Sequence, residues 1–228
     1  MISKISIHLQ SPYEEILQIQ QKEFEKRIEC RKSGISLPGD VVLFVEHFPV
    51  YTLGRHGNRA HLLMSEKDRA ERGIEYVETN RGGDITYHGP GQLTVYPIID
   101  LMRYRIGIKD YVWLLEECVI MTIKDYAIQG ERIEGRTGVW IGKGTDSERK
   151  ICAIGIRCSR HVTMHGFALN VAGSIPYFSG IVPCGLSQGV TSISLEAGSE
   201  VEIMEVENKV WKNLTYLLQL RIPSQESF

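Results

Sequence analysis

The chain has 228 residues, 43% of them hydrophobic and 24% charged, the balance of a soluble enzyme with a sizeable core and not of a disordered chain. Twenty-six Lys and Arg against 28 Asp and Glu leave a formal charge of -2, which points away from nucleic acid as the main partner, because phosphate-backbone binding calls for a concentrated positive field. No run approaches the roughly 20 apolar residues that cross a bilayer, and MISKISIHLQ does not open a signal peptide, so a cytoplasmic location with no membrane partner is expected.

Ile2 to Leu9 reads as a strand. Ser11-Pro12 then reads as a helix start, with Ser11 as the cap and Pro12 at the first helical position, and the helix runs to about Cys30. Asp40 to His47 is a short apolar run between Pro38-Gly39 and Phe48-Pro49, as in a buried strand. A polar helix over Ser65 to Arg72, stopped by Gly73, precedes a strand at Ile74 to Thr79. Leu93 to Ile99 is a strand that Pro97 is expected to interrupt or confine to an edge. A helix over Tyr111 to Ile123 follows, then strands at Gly138 to Ile141, Ile151 to Arg157 and Val162 to Val171. Val206, Val210, Leu214, Leu217 and Leu218 define an amphipathic helix at about 205–220, and PSQESF after it reads as a frayed tail. The break at Glu196 to Glu202 is expected to set that helix off as a small appendage. Strands outnumber helices and do not alternate with them, which predicts an α+β fold: a mixed or antiparallel sheet core with peripheral helices.

The segment RGGDITYHGPGQ, residues 81–92, packs four glycines and a proline into twelve residues. Such backbone turns tightly and approaches a ligand closely, and Arg81 and His88 stand beside it; the plain alternative is a glycine-rich link between two strands. Neither GxGxxG nor GxxxxGK[ST] is present. The five cysteines, at 30, 118, 152, 158 and 184, include no CxxC pair, so neither a disulfide framework nor a zinc finger is expected. Cys184, in IVPCGLSQG, is the candidate nucleophile, because a proline and a glycine bracket its thiol on a turn; Cys152 and Cys158 sit on strands. A reactive thiol needs a proton acceptor or a positive charge nearby, and His88, His165 and Lys150 all qualify. His47 either lines a site or closes its strand. No HExxH or tight Cys/His set suggests a metal.

Ordered along the chain, EHFPVYTLGR at 46–55, RGGDITYHGPGQLTVYPIIDL at 81–101, TGVWIGKG at 137–144, KICAIGIRCSRHVTMHGFALNV at 150–171, YFSGIVPCGL at 177–186 and GVTSI at 189–193 resemble the octanoyltransferases of lipoate biosynthesis. The resemblance implies a catalytic domain related in fold to lipoate- and biotin-protein ligases, here a single domain over 1–228. It implies transfer of octanoate from octanoyl acyl carrier protein to the lysine of a lipoyl domain, in 2-oxoacid dehydrogenase complexes or the glycine cleavage H protein. It implies a covalent acyl-enzyme on Cys184, with Lys150 as acid/base, and no cofactor. By the same match Arg81, Gly82, Gly83, Thr86, His88, Gly89, Gln92, Ala153, Ile154, Gly155, His165 and Gly166 line the substrate pocket. Two departures stand out: Thr94-Val95, where smaller or more apolar residues are common, and Leu186-Ser187-Gln188 after the Cys-Gly pair. The competing readings are an ATP-dependent lipoate-protein ligase, an octanoyl amidotransferase between lipoyl domains, and a non-enzymatic binder of acylated partners.

Overall fold

The computed structural model describes residues 2–173, 175–182 and 189–221. β1 (Ile2–Ser11) leads into α1 (Tyr13–Lys32). The helix starts later than the Ser11 cap implied: Ser11 stays in the ladder opposite His47, and Pro12 becomes the N-cap with no side-chain hydrogen bond. β2 (Asp40–His47), β3 (Val50–Leu53), α2 (Glu66–Glu71) and β4 (Glu75–Glu78) follow. Ser65 caps α2 by accepting the Asp68 N–H at 3.1 Å. β5 (Ile85–His88) and β6 (Gln92–Ile98) precede α3 (Ile108–Lys124), and then come β7 (Glu131–Ile133), β8 (Arg136–Ile141), β9 (Arg149–Ser159) and β10 (Val162–Asn170). β11 (Gly189–Val190), α4 (Ile193–Ala197) and α5 (Ile203–Gln219) complete the described chain.

Among the described residues the main sheet runs β1-β2-β6-β10-β9-β8-β7, with β11 added beside β9; a smaller sheet runs β4-β3-β5. β1/β2, β9/β11 and β3/β4 are parallel and the other pairs antiparallel, so the sheets are mixed, as expected. Strand alternation divides the main core. Val42, Phe44, Leu93, Val95, Phe167 and Leu169 face Leu114, Leu115, Val119 and Ile123 of α3 and Val206, Val210, Leu214 and Leu218 of α5. Leu43, Val45, Tyr96 and Ile98 point to the other face and meet Ile16 and Phe24 of α1. The last helix is therefore part of the core and not an appendage, because its apolar stripe is buried there at about 1.5–3 kcal/mol per large side chain.

Pro97 also departs from expectation. Its strand is central and uninterrupted, between β2 and β10. β10 pairs with β6 only from Phe167 to Asn170, so that ladder ends before the proline. The Thr163 hydroxyl then donates to the Pro97 carbonyl at 2.8 Å, and His165 takes a left-handed φ of 57° where β10 bends away.

Candidate active site

The face of the sheet turned away from α3 and α5 is paved with small side chains. Gly166 stands opposite Gly155, and Ala168 stands opposite Ala153 on one side and Thr94 on the other. Such residues cannot fill the space above three adjacent strands, and a cavity of about 540 Å³ results. The segment Arg81–Asp84 and β5 cover it. Gly82 N–H donates to the Ile156 carbonyl at 2.9 Å, and a Cβ on Gly155 would stand 2.6 Å from the Gly82 carbonyl oxygen. Glycine at 155 is what lets the roof rest directly on the floor.

Lys150 reaches the same face through a β-bulge. Val139 pairs with Cys152 and Trp140 with Lys150, so Ile151 is an extra residue on β9. Ile151 and Cys152 both turn into the core beneath, while Lys150 lines the cavity with Ala153 and Gly155. Gly138 makes the bulge possible: at φ 125° it lies where a Cβ would come within 2.5 Å of the Cys152 carbonyl. The Lys150 Nζ rests 4.4 Å from the centre of the Trp140 ring.

Away from Lys150 the wall is polar and buried. His88 Nδ1 donates to Gln92 Oε1 at 2.8 Å, Gln92 Nε2 to Asn170 Oδ1 at 2.9 Å, and Asn170 Nδ2 to the Thr191 carbonyl at 3.0 Å. Thr191 N–H donates in turn to the Lys150 carbonyl at 3.0 Å, so one hydrogen-bonded line joins the glycine-rich segment to the lysine's strand. Arg81 grips Thr52, donating to its carbonyl at 2.6 Å and its hydroxyl at 2.9 Å, and also donates to the Gly82 carbonyl at 3.0 Å. His165 Nε2 meets Asn80 Oδ1 at 2.8 Å, and its buried Nδ1 has no hydrogen-bond partner among the described residues. Burial, then the Arg81 and Arg157 charges, lower the His165 pKa to about 3. Burial first, then His47 and Arg81, holds His88 well below the usual imidazole range. Both rings are neutral at pH 7 and weakly basic, poor acceptors for a thiol proton. His47 lies behind the wall, its Nε2 2.8 Å from the Tyr96 hydroxyl, and closes its strand.

Of the expected pocket residues, Arg81, Gly82, Gly83, Thr86, His88, Gln92, Ala153, Ile154, Gly155, His165 and Gly166 line this cavity, together with Lys150. Gly89 is not in the wall; its carbonyl accepts the Gln92 N–H in the β5–β6 turn. Cys184 lies outside the described residues. Val182 N–H donates to the His61 carbonyl at 2.8 Å on one side of that segment. On the other side Gly189 and Val190 pair with Arg149 and Lys150 and line the cavity. Burial raises the thiols of Cys118, Cys152 and Cys158 above the ordinary range, which makes them poor nucleophiles. Sequence reasoning missed Tyr13, Tyr96, Arg136 and Trp140 in the wall. Trp140 had a signal, a tryptophan in TGVWIGKG, the strand that leads into the turn before Lys150; Tyr13 had none, as a tyrosine in a helix's first turn.

Among the described residues no group of three or more His, Cys, Asp or Glu side chains gathers as a metal site would. No described helix is long and apolar enough to cross a membrane. Residues 12–215 match the lipoyl protein ligase A/B catalytic domain. An octanoyltransferase of Flavobacterium johnsoniae is 49% identical over 199 residues, covering 86% of each chain. The bipartite lipoate protein ligase of Thermoplasma acidophilum has the same fold at 15% identity, with a TM-score of 0.69 over 96% of this chain and 85% of that one. The biotin protein ligase of Aquifex aeolicus, in complex with biotin and ATP, is more distant, at 12% identity and a TM-score of 0.53 over 96% of this chain and 72% of that one.

Proposed function

Because the chain belongs to the lipoyl protein ligase A/B catalytic-domain family and is an octanoyltransferase of protein lipoylation, we propose that it works in the cytoplasm, takes octanoate from octanoyl acyl carrier protein and passes it through Cys184 to a lipoyl-domain lysine. The acceptors are the lipoyl domains of 2-oxoacid dehydrogenase complexes and the glycine cleavage H protein. The observation that carries this reading is the placement of Lys150 on the cavity face, with Gly189 and Val190 of β11 paired directly onto its strand.

In the first step Lys150, as the free amine, takes the Cys184 proton. The thiolate attacks the octanoyl thioester, and the tetrahedral intermediate collapses to acyl-Cys184, releasing the carrier thiolate, which recovers the proton from Lys150. In the second step the neutral amine of the target lysine attacks acyl-Cys184 while Lys150 accepts its proton. The C–S bond breaks, an amide forms, and the departing thiolate is reprotonated. The chain of the acyl group lies over Ala153, Ala168 and Thr94, where burying six methylenes contributes about 5 kcal/mol at 0.8 kcal/mol each. Backbone N–H groups near the reacting carbonyl would stabilise the oxyanion. The donor is already a thioester, so the energy for amide formation is supplied without nucleotide.

Intact-mass measurement after mixing with octanoyl acyl carrier protein, followed by addition of apo lipoyl domain, tests both steps. The expected result, without ATP, is an octanoyl adduct on the peptide holding Cys184 that disappears as the lipoyl domain gains the same mass. An adduct on Cys152 or Cys158 would overturn the assignment, and strict dependence on ATP would make the protein a ligase.

A further inference from the structure

Trp140 is almost completely buried and is restrained on several sides. Its backbone pairs with Lys150 at the β9 bulge, and its indole N–H donates to the Arg136 carbonyl at 3.0 Å. The Arg136 guanidinium, itself paired with Glu148, lies 4.0 Å from the ring centre. The Lys150 amine lies 4.4 Å from the same centre. An indole face attracts an ammonium through its quadrupole, and a lysine has a flexible four-carbon stem that otherwise spreads its amine over many rotamers.

We propose that Trp140 is a positioning residue for Lys150, its fixed indole face holding the lysine amine at the cavity wall where protons are exchanged. The proposal rests on the acid/base reading of Lys150. It makes Trp140 act through the lysine, so its loss slows chemistry in both half-reactions and leaves substrate affinity nearly unchanged. A tryptophan that only filled the core would act on folding and not through one particular amine.

The test is a pair of variants, Trp140→Leu, which keeps apolar bulk but has no π face, and Trp140→Phe, which retains one. Single-turnover rates and KM are measured for each half-reaction, in the parental protein and in Lys150→Ala. Trp140→Leu is expected to slow both steps about tenfold with KM within about twofold, Trp140→Phe to restore most of the rate, and Trp140→Leu to add nothing to Lys150→Ala. If Trp140→Leu does not fold, Trp140→Met fills the same role. Equal rates for the leucine and phenylalanine variants, or the same slowing in Lys150→Ala as in the parent, would overturn the proposal. Parental rates in Lys150→Ala itself would overturn the acid/base reading, and this proposal with it.

Discussion

Gly155 lies under Gly82 so closely that one added carbon on Gly155 would stand 2.6 Å from the Gly82 carbonyl. Gly155→Ala must therefore lift the Arg81–Asp84 segment or bend β9. Overpacking of this kind costs about 1–3 kcal/mol, and the roof of the cavity moves with it. Acyl-enzyme formation is expected to fall about tenfold or more, with a lowered melting temperature, measured by single-turnover kinetics and thermal denaturation. Parental kinetics in a folded Gly155→Ala protein would show that the roof does not position the acyl group.

Ala168 is the centre of the small-residue floor, between Ala153 and Thr94. Replacing it with leucine fills part of the groove without touching Lys150. Octanoyl transfer should fall at least tenfold, while a butyryl donor keeps most of its rate. The comparison is kcat/KM over a series of acyl lengths, and a uniform loss across the series would place the acyl chain elsewhere.

Lys150→Ala should slow acyl-enzyme formation at neutral pH by about 10²–10⁴, the usual worth of a general base. Raising the pH should restore part of the first step, because a free cysteine ionises near pKa 8.5. The second step should recover less, since the incoming lysine, near pKa 10.4, still has to lose a proton. Lys150→Arg should be equally poor, as a guanidinium keeps the charge but stays protonated. Rates of both half-reactions against pH decide the matter, and a near-parental arginine variant would leave only charge stabilisation.

The buried histidines make the fold acid-sensitive. Burial lowers His47 to about 4 and His165 to about 3, against an ordinary value of 6.5. The unfolded chain therefore binds more protons than the folded one between these values, and stability rises with pH across that window. The contribution is complete above about pH 6.5 and is lost as pH falls toward 4 and then 3. Urea unfolding at pH 7 and pH 5 should show a loss of a few kcal/mol, and His47→Gln should lessen it. An identical pH slope in His47→Gln would show that this ring does not carry the effect.

Much of the fold was legible from runs such as Asp40 to His47 and from the apolar stripe of the last helix, because burial on one face leaves a periodic trace. The start of α1 was not: whether Ser11 caps the helix or ends the strand depends on its partner His47, 36 residues away. The strand β5 was hidden because glycines surround its four residues. In the site, the glycine-rich segment and the lysine were recognisable as residue types, but simple alternation puts Lys150 on the same face as Cys152, beneath the sheet. Only the extra Ile151 reverses that, and a bulge depends on the neighbouring strand's pairing. Tyr96 was missed for a similar reason, as it alternates like any strand residue and the gap beside it exists only because Gly166 and Gly155 lie on two other strands.

The single added residue in β9 also governs how the gene can change length. Between Ile141 and Arg149 the chain makes an exposed hairpin turn, where insertions or deletions leave both strands in register. From Lys150 to Ile156 one strand supplies the amine, the floor and the carbonyl on which the roof hangs, all counted from the same bulge. Removing Ile154 would turn Gly155 from under Gly82 onto the core face in one step while the amine stayed in place, so this stretch admits substitution far more readily than any change in residue number.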